Sequence, residues 1–334
     1  MWNIMPYDAS HLKEWDEFVD ASRNATFLFK RGYMDYHAPR FSDSSLMAYR
    51  HGKLAAVLPA NITGNTLHSH KGLTYGGWLW RKEGLDTADI FSLWREWLKY
   101  CKAGGIEEIE YKPLPYIYAS MPSQEDLYML FLSGAQLIRT DMSTAVDLNH
   151  NPGFNKLQTR HLKGASDRVQ VRRIVTEIPK EVESFHKLLT RCLMERHTTA
   201  PVHSLEEMRL LAMRFPENIK FWEAKDRKRG EIIAGICVYE TSICAHCQYI
   251  ASSAEGRELN ALSVIVEDIE SYCREKGIRY LDFGISNEKE GRELNIGLNR
   301  QKTSYGGSGV AYQRYRINVS CASASLPNEL WPRK

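Results

Sequence analysis

Ile243-Cys-Ala-His-Cys-Gln-Tyr-Ile-Ala-Ser252 is a β-rich run, and Glu255-Gly-Arg-Glu-Leu-Asn260 follows it as a polar turn. Leu262, Ile265, Val266, Ile269 and Cys273 then fall on one helical stripe across Ala261 to Lys276, Gly277 stops the helix, and Ile278 to Phe283 begins another β-rich run. Strand, turn, helix, strand is the organisation on which the rest of the chain depends.

Upstream, Ile219 to Lys225 and Ile232 to Tyr239 read as strands about the turn Lys228-Arg-Gly230. A helix is expected from Lys180 to Glu195, with Val182, Phe185, Leu188, Leu189 and Cys192 inward, and a second begins at Ser204, where Glu207 three residues on completes a capping box. The first half repeats this order: Ser45 to Arg50, Leu54 to Ala60, Thr66 to Tyr75, a helix from Thr87 to Lys102 and the strand Ile106 to Tyr111. Tyr100-Cys101 and Gly105-Ile106 match Tyr272-Cys273 and Gly277-Ile278 at one constant displacement. Two copies of one αβ domain are therefore expected. Asn149-His-Asn-Pro-Gly153 is the boundary, giving domains at 1–150 and 151–320, with a Ser- and Ala-rich appendage at 321–334.

The hexapeptide Glu-Gly-Arg-Glu-Leu-Asn occurs twice, at Glu255–Asn260 and Glu290–Asn295, each time after a β-rich run. Gly suits a turn and Asn a helix cap, so each copy is expected to start a helix, whose free N–H groups suit an anion. Ordinary helix starts have the same pattern.

With 334 residues, 43% hydrophobic and 25% charged, the chain suits two globular domains, and a net charge of +3 gives no general affinity for nucleic acid. Lys156 to Arg173 is locally basic, a solvated helix face or a patch for an anionic cofactor tail. The start of the chain has no signal-peptide pattern and no stretch is apolar enough to span a bilayer, so a cytoplasmic enzyme or binding protein is expected. Seven cysteines, an odd number, suit free thiols, and Cys244 and Cys247 would point to opposite faces of a strand, so no metal site is expected.

Tandem duplication together with Tyr280-Leu-Asp-Phe-Gly-Ile-Ser286, Leu294-Asn-x-x-Leu-Asn-x-x-Lys302 and Ser304-Tyr-Gly-Gly307 resembles the FemAB-like branch of the GNAT acyl-CoA N-acyltransferases. The resemblance implies an α/β fold, a mixed sheet of α+β kind, in two tandem GNAT-like domains. It implies that two parallel strands, Ile243 to Ser252 and Arg279 to Ser286, splay apart to admit the pantetheine arm of acyl-CoA, acetyl-CoA or longer. Gln248, Ile250 and Ser252 on the first strand, and Gly256, Arg257, Asn260 and Ala261 in its loop, would hold the cofactor, although only Gly256 and Ala261 follow the usual GNAT loop pattern.

GNAT chemistry is direct attack of an amine on the acyl thioester, with no covalent enzyme intermediate. A base, an oxyanion seat and an acid for the leaving thiolate are needed. Candidate bases are Glu223, His246, Asp282 and, in the polar loop after the 180–195 helix, His197 and His203; Tyr249 or Tyr305 is the candidate acid. His246, Gln248 and Ile250 are expected on one face of their strand, opposite Ala245, Cys247 and Tyr249. Asn287, Glu288, Asn295 and Lys302 lie past the closing strand, where open sheets present ligands. In the first half, aromatic Gly72 to Trp78 fills the cofactor-loop slot, so that half is read as degenerate, with Tyr75 and Trp78 as walls of an acceptor groove or simply as core. The acceptor would be a small-molecule or saccharide-linked amine. Two alternatives stay open: a Fem-like aminoacyl transferase using charged transfer RNA, and a non-catalytic GNAT-like binding module.

Overall fold

The computed structural model describes residues 1–38, 40–150, 152–174, 179–327 and 329–330, apart from the side chains of residues 37, 179–181 and 197. It divides into two compact units, one made of residues 1–141 and 311–334 and the other of 142–310. The second unit is thus an insertion in the first, whereas the sequence reading placed boundaries at 150 and 320.

In the second unit the strands lie in the order Val169–Ile174, Ile219–Asp226, Ile232–Glu240, Cys244–Ser252, Tyr280–Ile285 and the end of Gln136–Asp147. All neighbours are antiparallel except Cys244–Ser252 and Tyr280–Ile285, which run parallel. The crossover between those two is the helix Ala261–Lys276, ended by Gly277 at φ 72, where a residue without Cβ takes the left-handed conformation at no steric cost. Its buried face, including Ile265, Val266, Ile269 and Cys273, packs with Ile236, Val238 and Leu281 of the sheet. The opposite face of the sheet is covered in part by Pro179–His197, where Phe185 meets Phe221 edge-on at 5.3 Å. Leu205–Arg214 starts with the expected capping box between Ser204 and Glu207.

The first unit has a four-stranded antiparallel sheet of Trp2–Pro6, Leu46–Arg50, Lys53–Leu58 and Leu79–Trp80. A second set of strands places Glu108–Tyr111 between Thr66–His68, parallel to it, and Ser308–Asn318, antiparallel. Thr87–Ala103 packs Trp94, Trp97 and Leu98 into a core that also holds Trp78, Trp80, Ile317, Val319 and Ala322. The tail read as an appendage includes a short helix, Val319–Ser325, whose buried side chains belong to this core. The run expected as a strand from Thr66 to Tyr75 stops at His68, because the chain turns at His70, φ 60. Among the described residues no helix is long and apolar enough to cross a membrane.

Candidate active site

The parallel pair of the second unit is joined at Cys244 and Tyr280, Ala245 and Leu281, and His246 and Asp282, and at no residue beyond. Both strands bend at that point. Cys237 pairs with Tyr249 and Val238 with Cys247, which leaves Gln248 as an extra residue on its strand. On the other side, Tyr280–Ile285 is irregular between Asp282 and Ile285 against Gln136–Asp147 and carries Gly284 at φ 73. Bulges bend and twist a strand, so two of them facing away from each other open the sheet.

The opening holds a cavity of about 360 Å³, ordinary for a small-ligand site. Ile236, Ile250, Leu262, Val266, Phe283 and Leu298 give it apolar walls; Gln248, Ser252, Gln301 and Tyr305 add polar atoms, and Arg196, Arg257 and Lys302 add charge. The bulge corrects one expectation about side-chain direction. Because Gln248 interrupts the alternation, Cys247 lines the cavity beside Gln248 and Ile250 instead of facing away from them.

At the last paired position of the two strands His246 Nδ1 lies 2.8 Å from Asp282 Oδ2. Asp282 is fully buried, and its Oδ1 accepts from Ser143 Oγ at 2.5 Å and from the Gly284 amide at 3.1 Å. An ionised carboxylate only accepts, so the pairing puts the proton on Nδ1 and leaves Nε2 as the basic nitrogen. A Cβ on Gly284 would lie 3.3 Å from His246 Cε1, so the glycine supplies room for the ring as well as the positive φ.

Lys302, 5% exposed, donates to the carbonyls of Gly284 at 2.8 Å and Ile285 at 2.7 Å and so ties the outward-bent strand end. Burial lowers its pKa to about 8, against the pull of Asp282. Burial raises the Tyr305 phenol and pushes the Cys247 thiol well above its ordinary value, so Cys247 is not a poised thiolate. At the other end of the cavity, Arg257 donates to Ser252 O at 2.7 Å, and Ser252 Oγ is buried with no hydrogen-bond partner among the described residues.

Of the candidate bases the structure brings His246 and Asp282 together. Glu223 is apart from them: it is fully buried, opposite Gly235 in the register and near Arg172 at 3.4 Å, whereas His246 pairs with Tyr239. Tyr249 is hydrogen-bonded to His203 Nδ1, and His186 Nε2 lies 3.2 Å from His203 O. The side chain of His197 lies outside the described residues. Asn287 is occupied by the Met142 amide and by Gly291 O at 3.2 Å, Glu288 accepts from Asn295 at 2.9 Å, and Asn295 caps Ile296–Thr303 by accepting from Leu298 N at 3.0 Å. Tyr75 and Trp78 are core residues of the first unit, at 3% and 1% exposure: Tyr75 packs on Tyr118 at 4.7 Å and Trp78 on Trp97 at 5.7 Å.

The loop after the first strand also differs from expectation. Ala254–Glu258 is a short helix capped by Ser253, whose Oγ accepts from Gly256 N at 3.1 Å. Gly256 makes no positive-φ turn; it is pressed against the neighbouring strand, where a Cβ would sit 2.2 Å from Ile233 O. Asn260 takes φ 53 at the start of Ala261–Lys276 without a side-chain cap, so here the hexapeptide is a helical turn and a kink. Ser143, Gly284 and Arg196 were missed by the sequence reading. Ser143 sits on a strand absent from that reading, and the need for Gly284 arises only where His246 crosses it.

Residues 156–291 match the family model described as an acetyltransferase (GNAT) domain. No curated protein sequence matches the chain. Among solved structures, FemX superposes with a TM-score of 0.68 at 14% identity, covering 95% of this chain and 98% of FemX. L-PGS from Bacillus licheniformis gives a TM-score of 0.63 at 11% identity, covering 96% and 98%. A tandem GNAT protein from the clavulanic acid biosynthesis pathway gives 0.51 at 12% identity, covering 96% and 99%.

The chain has the FemAB-like tandem GNAT fold. Residues 156–291 are its GNAT domain, of acyltransferase type, and the splayed strand pair lies within them.

Proposed function

We propose that the protein is an N-acyltransferase in which an acyl-CoA threads the opening between Cys244–Ser252 and Tyr280–Ile285 and an amine attacks its thioester directly. The observation that carries this reading is the open splay itself: the parallel pairing ends at the hydrogen-bonded His246 and Asp282, and their chain neighbours Cys247 and Phe283 line the cavity beyond. Strand amides freed by the splay suit the amide groups of a pantetheine arm, and Ser252 Oγ, buried without a partner among the described residues, suits a polar group of the same arm. Arg196 and Arg257 suit its phosphates.

In the step proposed, His246 Nε2 takes a proton from the amine, the amine nitrogen bonds to the carbonyl carbon, and the carbon–sulfur bond breaks. Tyr305, kept protonated by its raised pKa, donates to the leaving thiolate. Asp282 holds the imidazole in the useful tautomer and steadies the imidazolium.

A second reading, transfer of an aminoacyl group from charged transfer RNA, is favoured by one feature. The loop that would seat a pyrophosphate is a helical turn whose Gly256 amide is already satisfied by Ser253. Thermal shift with acetyl-CoA, longer acyl-CoAs and charged transfer RNA, followed by thiol-release assays with an amine panel, tests both. Stabilisation and turnover with an acyl-CoA is the expected result; stabilisation by charged transfer RNA alone would overturn it, and stabilisation by CoA without turnover on any amine would leave a binding module.

A further inference from the structure

The cavity in the splay is asymmetric in charge. Arg196, Arg257 and Lys302 line it, and no aspartate or glutamate does among the described residues. The nearby carboxylate of Asp282 is fully buried and committed to His246, Ser143 and the Gly284 amide. Lys302 is fixed by two carbonyl acceptors, so its amine cannot swing away to make room for a second cation. The remaining wall is uncharged: apolar side chains, Ile250, Val266 and Phe283 among them, with the neutral polar groups of Gln248, Ser252, Gln301 and Tyr305.

A ligand with anionic phosphates and an uncharged acyl group gains from every part of that wall. An acyl group that carries its own ammonium meets three like charges and otherwise neutral groups, with no lining carboxylate to pair it. Resting on the acyl-CoA reading above, we propose that the transferred acyl group is neutral and apolar, and that the cavity discriminates against cationic, amino-bearing acyl groups.

Butyryl-CoA and β-alanyl-CoA make a near-isosteric test, because an ammonium replaces the terminal methyl. Binding to the full chain by titration calorimetry needs no knowledge of the acceptor. The expected result is a Kd at least tenfold lower for butyryl-CoA, with the gap narrowing as salt is raised or in Arg196→Gln. Equal affinities, or tighter binding of β-alanyl-CoA, overturn the inference while leaving the acyl-CoA reading in place. If neither binds, the acyl-CoA reading fails and the inference falls with it.

Discussion

Among the described residues each unit has a parallel strand pair, and the two pairs begin alike and end differently. Thr66–His68 and Glu108–Tyr111 pair for three residues, the last being His68 opposite Glu110, with His68 Nδ1 3.2 Å from the carboxylate. Cys244–Ser252 and Tyr280–Ile285 also pair for three, the last being His246 opposite Asp282. Beyond that point the first unit fills its own gap: the Ser69 amide donates to Glu110 O, Lys112 N donates to Ser69 Oγ, and Gly76 N donates to Lys112 O at 2.8 Å. The second unit leaves about 360 Å³ open. A parallel pair with a histidine facing a carboxylate is therefore common to both units; the space beyond the pair distinguishes them.

The largest expected effect separates the two pairs directly. Asp282→Asn should lower kcat by about 10²–10⁴-fold in a thiol-release assay, because His246 loses the partner that sets its tautomer. Glu110→Gln should leave kcat unchanged, and an equal loss in both variants would end the distinction. Next comes the plug. A Cβ at Gly76 would lie 1.9 Å from Ser69 O, so Gly76→Ala should cost about 3 kcal/mol in urea unfolding.

Both gaps are bordered by a buried lysine with a lowered pKa, Lys112 at about 7 and Lys302 at about 8, each pushed down first by desolvation. An unfolded lysine keeps its proton to a pH near 10, so above these values the unfolded chain binds more protons and stability rises with pH. Lys112→Met should flatten that rise from pH 7 upward and Lys302→Met only from pH 8 upward, read from unfolding curves at several pH values. Smallest is Ser252→Ala. It removes a buried hydroxyl with no hydrogen-bond partner among the described residues, so stability should not fall, while CoA binding should weaken by about 1 kcal/mol in calorimetry.

The sequence was most informative where one period ran unbroken and a strong stop followed. The stripe from Leu262 to Cys273, closed by Gly277, coincides with Ala261–Lys276, and Ser204 with Glu207 marked the start of Leu205–Arg214. It was least informative where tertiary contacts override a local rule. The alternation through His246, Gln248 and Ile250 fails because an extra residue is accommodated against the neighbouring strand, which local pattern does not encode. The repeated hexapeptide makes the same point: Glu255–Asn260 packs Gly256 on Ile233 as a helical turn, whereas in Glu290–Asn295 Gly291 takes φ 87 and Asn295 caps a helix. Of the candidate site, His246, Asp282, Tyr305 and Lys302 were singled out by residue type; Ser143 and Arg196, supplied from distant segments, were not.

Because residues 311–334 belong with residues 1–141, the order of synthesis and the order of completion run opposite ways. The ribosome releases the partner strand Glu108–Tyr111 some two hundred residues before Tyr315–Asn318, which pairs with it, and before Val319 and Ala322, which fill its core. Folding during synthesis therefore begins with a first unit that waits, an exposed strand edge on the nascent chain, while the inserted acyltransferase unit has all its residues first. A chain that stops short at residue 310 should consequently be a client for chaperones even though every residue of its second unit is present.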